Sequence, residues 1–142
     1  MNSKEKKRFM ETVKFAVNTS PFYKHMCLEL VEYGDGTSKV IMKSGDNLKN
    51  LYGTLHGGGI ASLIDSACSL AIVTKMEIDE ISVTVDLKTS YIAPARDGTL
   101  TGLGKIIHRG KNIAIAEATV TDKNGKIIAH GGTIHFIKRE RN

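Results

Sequence analysis

The chain has 142 residues, 41% of them apolar and 25% charged, with a net charge of +5. That is enough for one domain with a single core, and no linker, repeat or low-complexity tract divides it. The positive charge sits at the two ends: residues 1–14 sum to +3 and residues 138–142 to +2, so residues 15–137 sum to zero. Phe9 is the one aromatic residue within these two runs, too few for a stacking platform, which argues against a nucleic-acid surface. The start of the chain has charge but no apolar core of signal-peptide length, and Asp65 and Gly57–Gly59 interrupt the longest neutral stretch. Cys27 and Cys68 have no CxxC partner, which disfavours a metal knuckle and fits two free thiols. The expectation is a cytoplasmic protein without a membrane span.

In chain order, Phe9, Val13, Ala16 and Val17 recur at helical spacing over residues 4–17, with charges opposite, and predict an amphipathic helix. Ser20-Pro21 ends it, and 21–26 adds one more helical turn. Strands follow at 27–33 and 37–43 around Gly34-Asp35-Gly36. Residues 44–55 form a polar loop, and residues 57–75 a central helix. Four strands come next, at 81–91, 99–108, 112–121 and 126–138. Arg109-Gly-Lys-Asn112 and Asp122-Lys-Asn-Gly125 read as hairpin turns, the second as type I′ because Asn-Gly accepts its positive φ angles. The fold class is α+β: an antiparallel sheet curled around the central helix.

That helix carries the chemistry. Ile60, Leu63, Ile64, Ala67, Leu70, Ala71 and Ile72 make it apolar nearly all round, the mark of a buried helix. Between Leu51 and Thr74 the only charged side chain is Asp65, on a face shared with Ser62, Ser66 and Ser69. A carboxylate there is costly unless something pairs with it or uses it. The alternatives are a solvated stripe or a structural role. The helix starts Gly57-Gly58-Gly59, although glycine costs roughly 1 kcal/mol per helical residue. Close approach of a carbonyl oxygen to the unpaired N–H groups of the first turn explains it; tight helix–sheet packing is the alternative.

Asp65 lies eight residues beyond Gly57, about 12 Å along a helix. One reacting carbonyl cannot contact both in the same chain. Two antiparallel helices across a two-fold axis would place Gly57 of one copy beside Asp65 of the other, twice. The spacing therefore predicts a dimer with two shared sites.

Asn50-x-x-Gly53-x-x-His56-Gly57-Gly58 followed by Leu63-x-Asp65 resembles the signature of hotdog-fold acyl-CoA thioesterases, in particular the phenylacetate-pathway (PaaI-like) branch. Val83-Thr-Val-Asp-Leu with Tyr91-Ile-Ala-Pro-Ala95, and His108-Arg-Gly-Lys-Asn112, extend the likeness over roughly residues 40–138. The resemblance implies a single hotdog domain over 1–142, residues 1–20 being an N-terminal extension, and dimers that pair into tetramers. It implies hydrolysis of an acyl-CoA thioester with no cofactor beyond the coenzyme A of the substrate and no metal. Gly57 N–H would be the oxyanion donor, and Asn50 would hold the thioester carbonyl or the water. His56 would line the site, and Asp65 would act as general base or nucleophile. Thr84 stands where some relatives carry a water-orienting serine. Tyr91, Ala93, Pro94 and Arg96, with His108, Arg109, Gly110, Lys111 and Asn112, match segments that contact coenzyme A. Arg96, Arg109 and Lys111 suit its phosphates, or are solvated loop charges.

His130 and His135 lie an odd number of residues apart on one strand and are expected on opposite faces, which disfavours a shared metal. The rival functions are an acyl-CoA binder without turnover, which would gain nothing from a desolvated Asp65, and a hydratase, whose His–acid arrangement is not seen in this sequence. A nucleic-acid module is the most distant.

Overall fold

The computed structural model describes residues 1–96 and 98–140. Arg141, part of the basic C-terminal run, lies outside them. The elements are α1 (Ser3–Asn18), α2 (Pro21–Met26), β1 (Leu28–Gly34), β2 (Thr37–Lys43), a 3₁₀ turn at Asp46–Leu48, α3 (Gly57–Val73), β3 (Glu80–Tyr91), β4 (Thr99–Arg109), β5 (Ile113–Thr121) and β6 (Ile127–Arg139). The α+β expectation holds. Helix α1 opens on a capping box in which Asn2 and Glu5 each accept the other's backbone N–H. Ser20 caps α2, with Pro21 in the first turn, where a missing N–H costs nothing.

The six strands form one antiparallel sheet in the order β1-β2-β4-β5-β6-β3. It curls around α3, whose Leu63, Ile64, Ala67, Cys68, Ala71 and Ile72 are fully buried. Each large side chain in that set is worth about 1.5–3 kcal/mol of burial. Small residues let the helix sit close: Ala114, Ala116 and Ala118 line the facing row of β5, and a Cβ on Gly104 would collide with the Ala67 carbonyl. Ser38 Oγ donates to that same carbonyl at 2.6 Å. No helix among the described residues is long and apolar enough to cross a membrane.

Two local details depart from the sequence expectation. The 122–125 turn is not type I′. Only Gly125 takes a positive φ, +80°, while Asn124 does not, and Asp122 Oδ1 accepts the N–H groups of both Asn124 and Lys126. The aspartate builds the turn itself, so Asn124 is not forced into the left-handed region. Strand β3 also does not alternate simply. Its register with β6 slips between Thr84 and Asp86, leaving Val85 as an extra residue. Before the slip Ser82 and Thr84 oppose Ile137 and His135; after it Leu87 and Tyr91 oppose Thr133 and Ala129. Each of those four β6 residues is buried. The bulge therefore turns even-numbered residues toward α3 in the first half of β3 and odd-numbered ones in the second.

Strand β3 is one edge of the sheet, with β1 at the other. Val83, Val85 and Leu87 on it are 52%, 59% and 38% exposed, an unprotected apolar edge of the kind that pairs with another strand.

Candidate active site

At the head of α3 the backbone is nearly accounted for. His56 is the N-cap: its Nδ1 accepts the Gly58 N–H at 2.8 Å, and its carbonyl accepts from Gly59 and Ile60. Gly57 N–H is left as the helix-start donor without an acceptor among the described residues. His56 is thus a helix cap on an exposed position, next to the residues that line an adjacent cleft. That cleft has a volume of about 300 Å³ and is lined by Asn50, Thr54, Leu55, Gly57, Ile60 and residues 91–95. The Asn50 side chain organises the preceding loop, Oδ1 accepting from Tyr52 and Thr54 N–H and Nδ2 donating to Thr54 Oγ1. One Nδ2 proton remains for a ligand. The Tyr91 hydroxyl donates to the Gly57 carbonyl at 2.7 Å, and a Cβ on Gly57 would meet the Tyr91 ring at 3.3 Å. A side chain there would press on the tyrosine as well as on any approaching ligand.

Two helical turns on, Asp65 is half-buried. Its Oδ1 accepts from Thr84 Oγ1 at 2.9 Å. Behind Thr84 lies His135, which the sequence reading set aside. It is 1% exposed and bonded to both Thr84 and Ser82. Its membership of the buried row with Thr133 and Ile137 was the available signal: a histidine at core-facing parity needs partners. His130, at the opposite parity, is exposed as expected. Helix α2 also reaches this region. Burial pushes the Tyr23 hydroxyl above its usual range, a hydrogen bond with Ser66 works against that, and the Asp65 charge adds to the rise.

The remaining sequence candidates fall into two separate groups. Tyr91, Ala93, Pro94 and Arg96 flank the cleft, and Arg96 shares an adjoining groove of about 400 Å³ with Lys123 and Lys126. His108, Arg109, Gly110, Lys111 and Asn112 lie beside the first residues of β3, where Asn112 Nδ2 donates to the Ile137 carbonyl. Eleven strand residues separate the two groups, about 35 Å. Within one chain they cannot form one coenzyme A site. Arg109 is also committed elsewhere. It pairs with Glu80 and donates to the Lys75 and Gly110 carbonyls. Burial would raise the Glu80 carboxyl, but the Arg109 guanidinium holds it below its usual range. Lys111 and Arg96 are exposed and stay available to an anion.

The fold and this site together define a class. A structure of a thioesterase from Haemophilus influenzae superposes with a TM-score of 0.85 over 92% of this chain and 90% of that one, at 20% identity. The architecture is the hotdog fold. The family model described as Thioesterase superfamily matches residues 52–129, more than half of the chain and all of α3 and β3. This chain belongs to the thioesterase superfamily and is a thioester hydrolase. Among its relatives is human acyl-coenzyme A thioesterase 13, 32% identical over 106 residues, covering 73% of this chain and 75% of that protein. Another is a 1,4-dihydroxy-2-naphthoyl-CoA hydrolase of Listeria monocytogenes, 25% identical over 114 residues, 80% of this chain and 93% of that protein.

Proposed function

We propose that the protein hydrolyses an acyl-CoA thioester in a site shared by two copies of the chain. The observation that carries this reading is the layout of β3. The last residue of this exposed edge strand, Tyr91, touches Gly57, and Thr84 in its first half touches Asp65. If two such edges pair antiparallel about a two-fold axis, the Tyr91 end of each lies beside the Thr84 end of the other. Gly57 of one copy then faces Asp65 of the second. The same pairing brings residues 91–96 of one chain toward residues 108–112 of the other, which resolves their separation within a chain.

In this reading the thioester oxygen sits at the Gly57 N–H, aided by the remaining Asn50 Nδ2 proton. Charge developing on that oxygen is stabilised by donors already aimed at it. Asp65 of the facing copy, with Oδ1 held by Thr84, takes a proton from water as the water oxygen bonds to the carbonyl carbon. The carbon–sulfur bond breaks, and the coenzyme A thiolate leaves and collects a proton from Asp65 or solvent. Arg96 with Lys123 and Lys126, and Lys111 of the second copy, suit the nucleotide phosphates. We place the reaction in the cytoplasm, in keeping with Cys27 and Cys68 as unjoined thiols. Pairing of dimers into tetramers is part of the same proposal.

The test is release of free thiol from hexanoyl-, palmitoyl- and phenylacetyl-CoA by the parent, Asp65→Asn and Asp65→Ala. Turnover by the parent that both variants abolish supports the reading. Binding of all three thioesters with no thiol release would favour a non-catalytic acyl-CoA binder.

A further inference from the structure

The carboxylate of Asp65 is the end of a longer chain of hydrogen bonds. His135 on β6 sits in the buried row, and both of its ring nitrogens have partners. Nδ1 lies 2.7 Å from Ser82 Oγ, and Nε2 lies 3.3 Å from Thr84 Oγ1. Thr84 Oγ1 donates to Asp65 Oδ1 at 2.9 Å. Counting protons assigns the direction of every link. A threonine hydroxyl has one proton, and a carboxylate can only accept, so that proton goes to Asp65. The Nε2 contact must then be an Nε2–H donating to Thr84. Burial disfavours the charged ring, with the Asp65 charge opposing, and a neutral imidazole bearing its proton on Nε2 has a bare Nδ1. Ser82 Oγ–H donates to it. Each donor in the series points toward the carboxylate.

We infer that His135, set by Ser82, is a positioning residue for Asp65: it holds the Thr84 hydroxyl as the donor to Oδ1 and leaves Oδ2 for the attacking water. The inference rests on Asp65 being the general base. Packing does not explain a histidine at this position, since an apolar side chain would fill the same core row without needing two polar partners. The four groups come from three rigid elements, Asp65 from α3, Ser82 and Thr84 from β3 and His135 from β6, which is how a reacting group is held to a narrow range of orientations. On the remaining side β5 pairs Ala114 with His135 and brings no competing charge.

The experiment compares kcat and KM for the three acyl-CoAs above in the parent, His135→Phe, His135→Gln and Ser82→Ala. His135→Phe keeps the bulk of the ring and removes both nitrogens. Loss of an orienting group of this kind is expected to lower kcat by about 10- to 100-fold, with KM changed less than about twofold. Gln keeps an N–H within reach of Thr84, so His135→Gln is expected to recover much of the lost rate, and Ser82→Ala to lose a few-fold. A folded His135→Phe with parental kcat, beside an inactive Asp65→Ala, would overturn the positioning role and leave Asp65 as the base. Full activity in Asp65→Ala would instead remove the base reading and this inference with it. A readout independent of turnover and of variant folding is the ¹⁵N spectrum of the His135 ring in the parent protein. The Nε2–H tautomer at neutral pH is expected; an Nδ1–H tautomer would reverse the chain and overturn the proposal.

Discussion

The Tyr91 end of β3 and its first half, around Thr84, meet the same helix in opposite ways. At the Tyr91 end the contact is made to backbone: a hydroxyl on the Gly57 carbonyl, an aromatic ring where a Cβ would stand, and an N–H facing a small cleft. At the Thr84 end the contact is between side chains and is backed by buried His135. The first end is suited to receive negative charge and the second to supply it. The contrast teaches that one strand, lying at an edge of the sheet, carries two regions of complementary chemistry, which the proposed pairing of two copies would bring together.

Variants that act on one end only can break or sharpen this comparison. The largest effect is expected at the acidic end. Asp65→Ala should lower the rate of thiol release by about 10²–10⁴-fold, the usual range for removal of a general base, with the melting temperature little changed. At the backbone end, Gly57→Ala sets a Cβ 3.3 Å from the Tyr91 ring. Displacing a preorganised oxyanion donor should cost about 10²-fold in kcat. Mixing these two inactive variants tests whether the ends belong to different chains. Random exchange makes half of the dimers mixed, each with one intact site, so about a quarter of the parental activity should return. No recovery after verified exchange would show that the ends do not combine across chains. Tyr91→Phe should be milder, about 0.5–1.5 kcal/mol of stability for one hydrogen bond, with a few-fold loss of rate, read by thermal melts and steady-state kinetics.

The smallest expected effect is on stability against pH. Burial lowers the His135 pKa below its ordinary value, with Asp65 partly opposing. The unfolded chain therefore binds the proton more readily than the folded one. Stability is full above about pH 6.5 and is lost as pH falls through the folded-state value. His135→Phe should flatten that slope between about pH 7 and 5, measured by urea midpoints.

Much of this was legible from the chain. The apolar run around Asp65 announced a buried helix, Pro21 and the glycine turns punctuated the strands, and the Asn50, His56-Gly57-Gly58, Asp65 spacing marked the family. Those signals are local, and each element that they specify appears within a few residues of its expected bounds. Roles for single residues were less legible. A linear reading gives His56 and Arg109 no structural partners, whereas His56 caps α3 and Arg109 pairs with Glu80. A side chain's partners depend on neighbours far along the chain.

What the sequence by itself determined is the distance between Gly57 and Asp65, because eight residues of α-helix have one length whatever surrounds them. That length keeps the two about 12 Å apart within one chain, which is why the proposed site draws on two copies. What only the tertiary structure decided is which strand lies at the edge, and which of its side chains face the helix. Thr84 and Tyr91 are an odd number of residues apart and in a regular strand would point to opposite faces. The extra residue at Val85 lets both reach α3, and the pairing of β3 with β6 carries His135 to Thr84 from 51 residues away. No local pattern encodes that meeting, because it exists only once the sheet has closed around the helix.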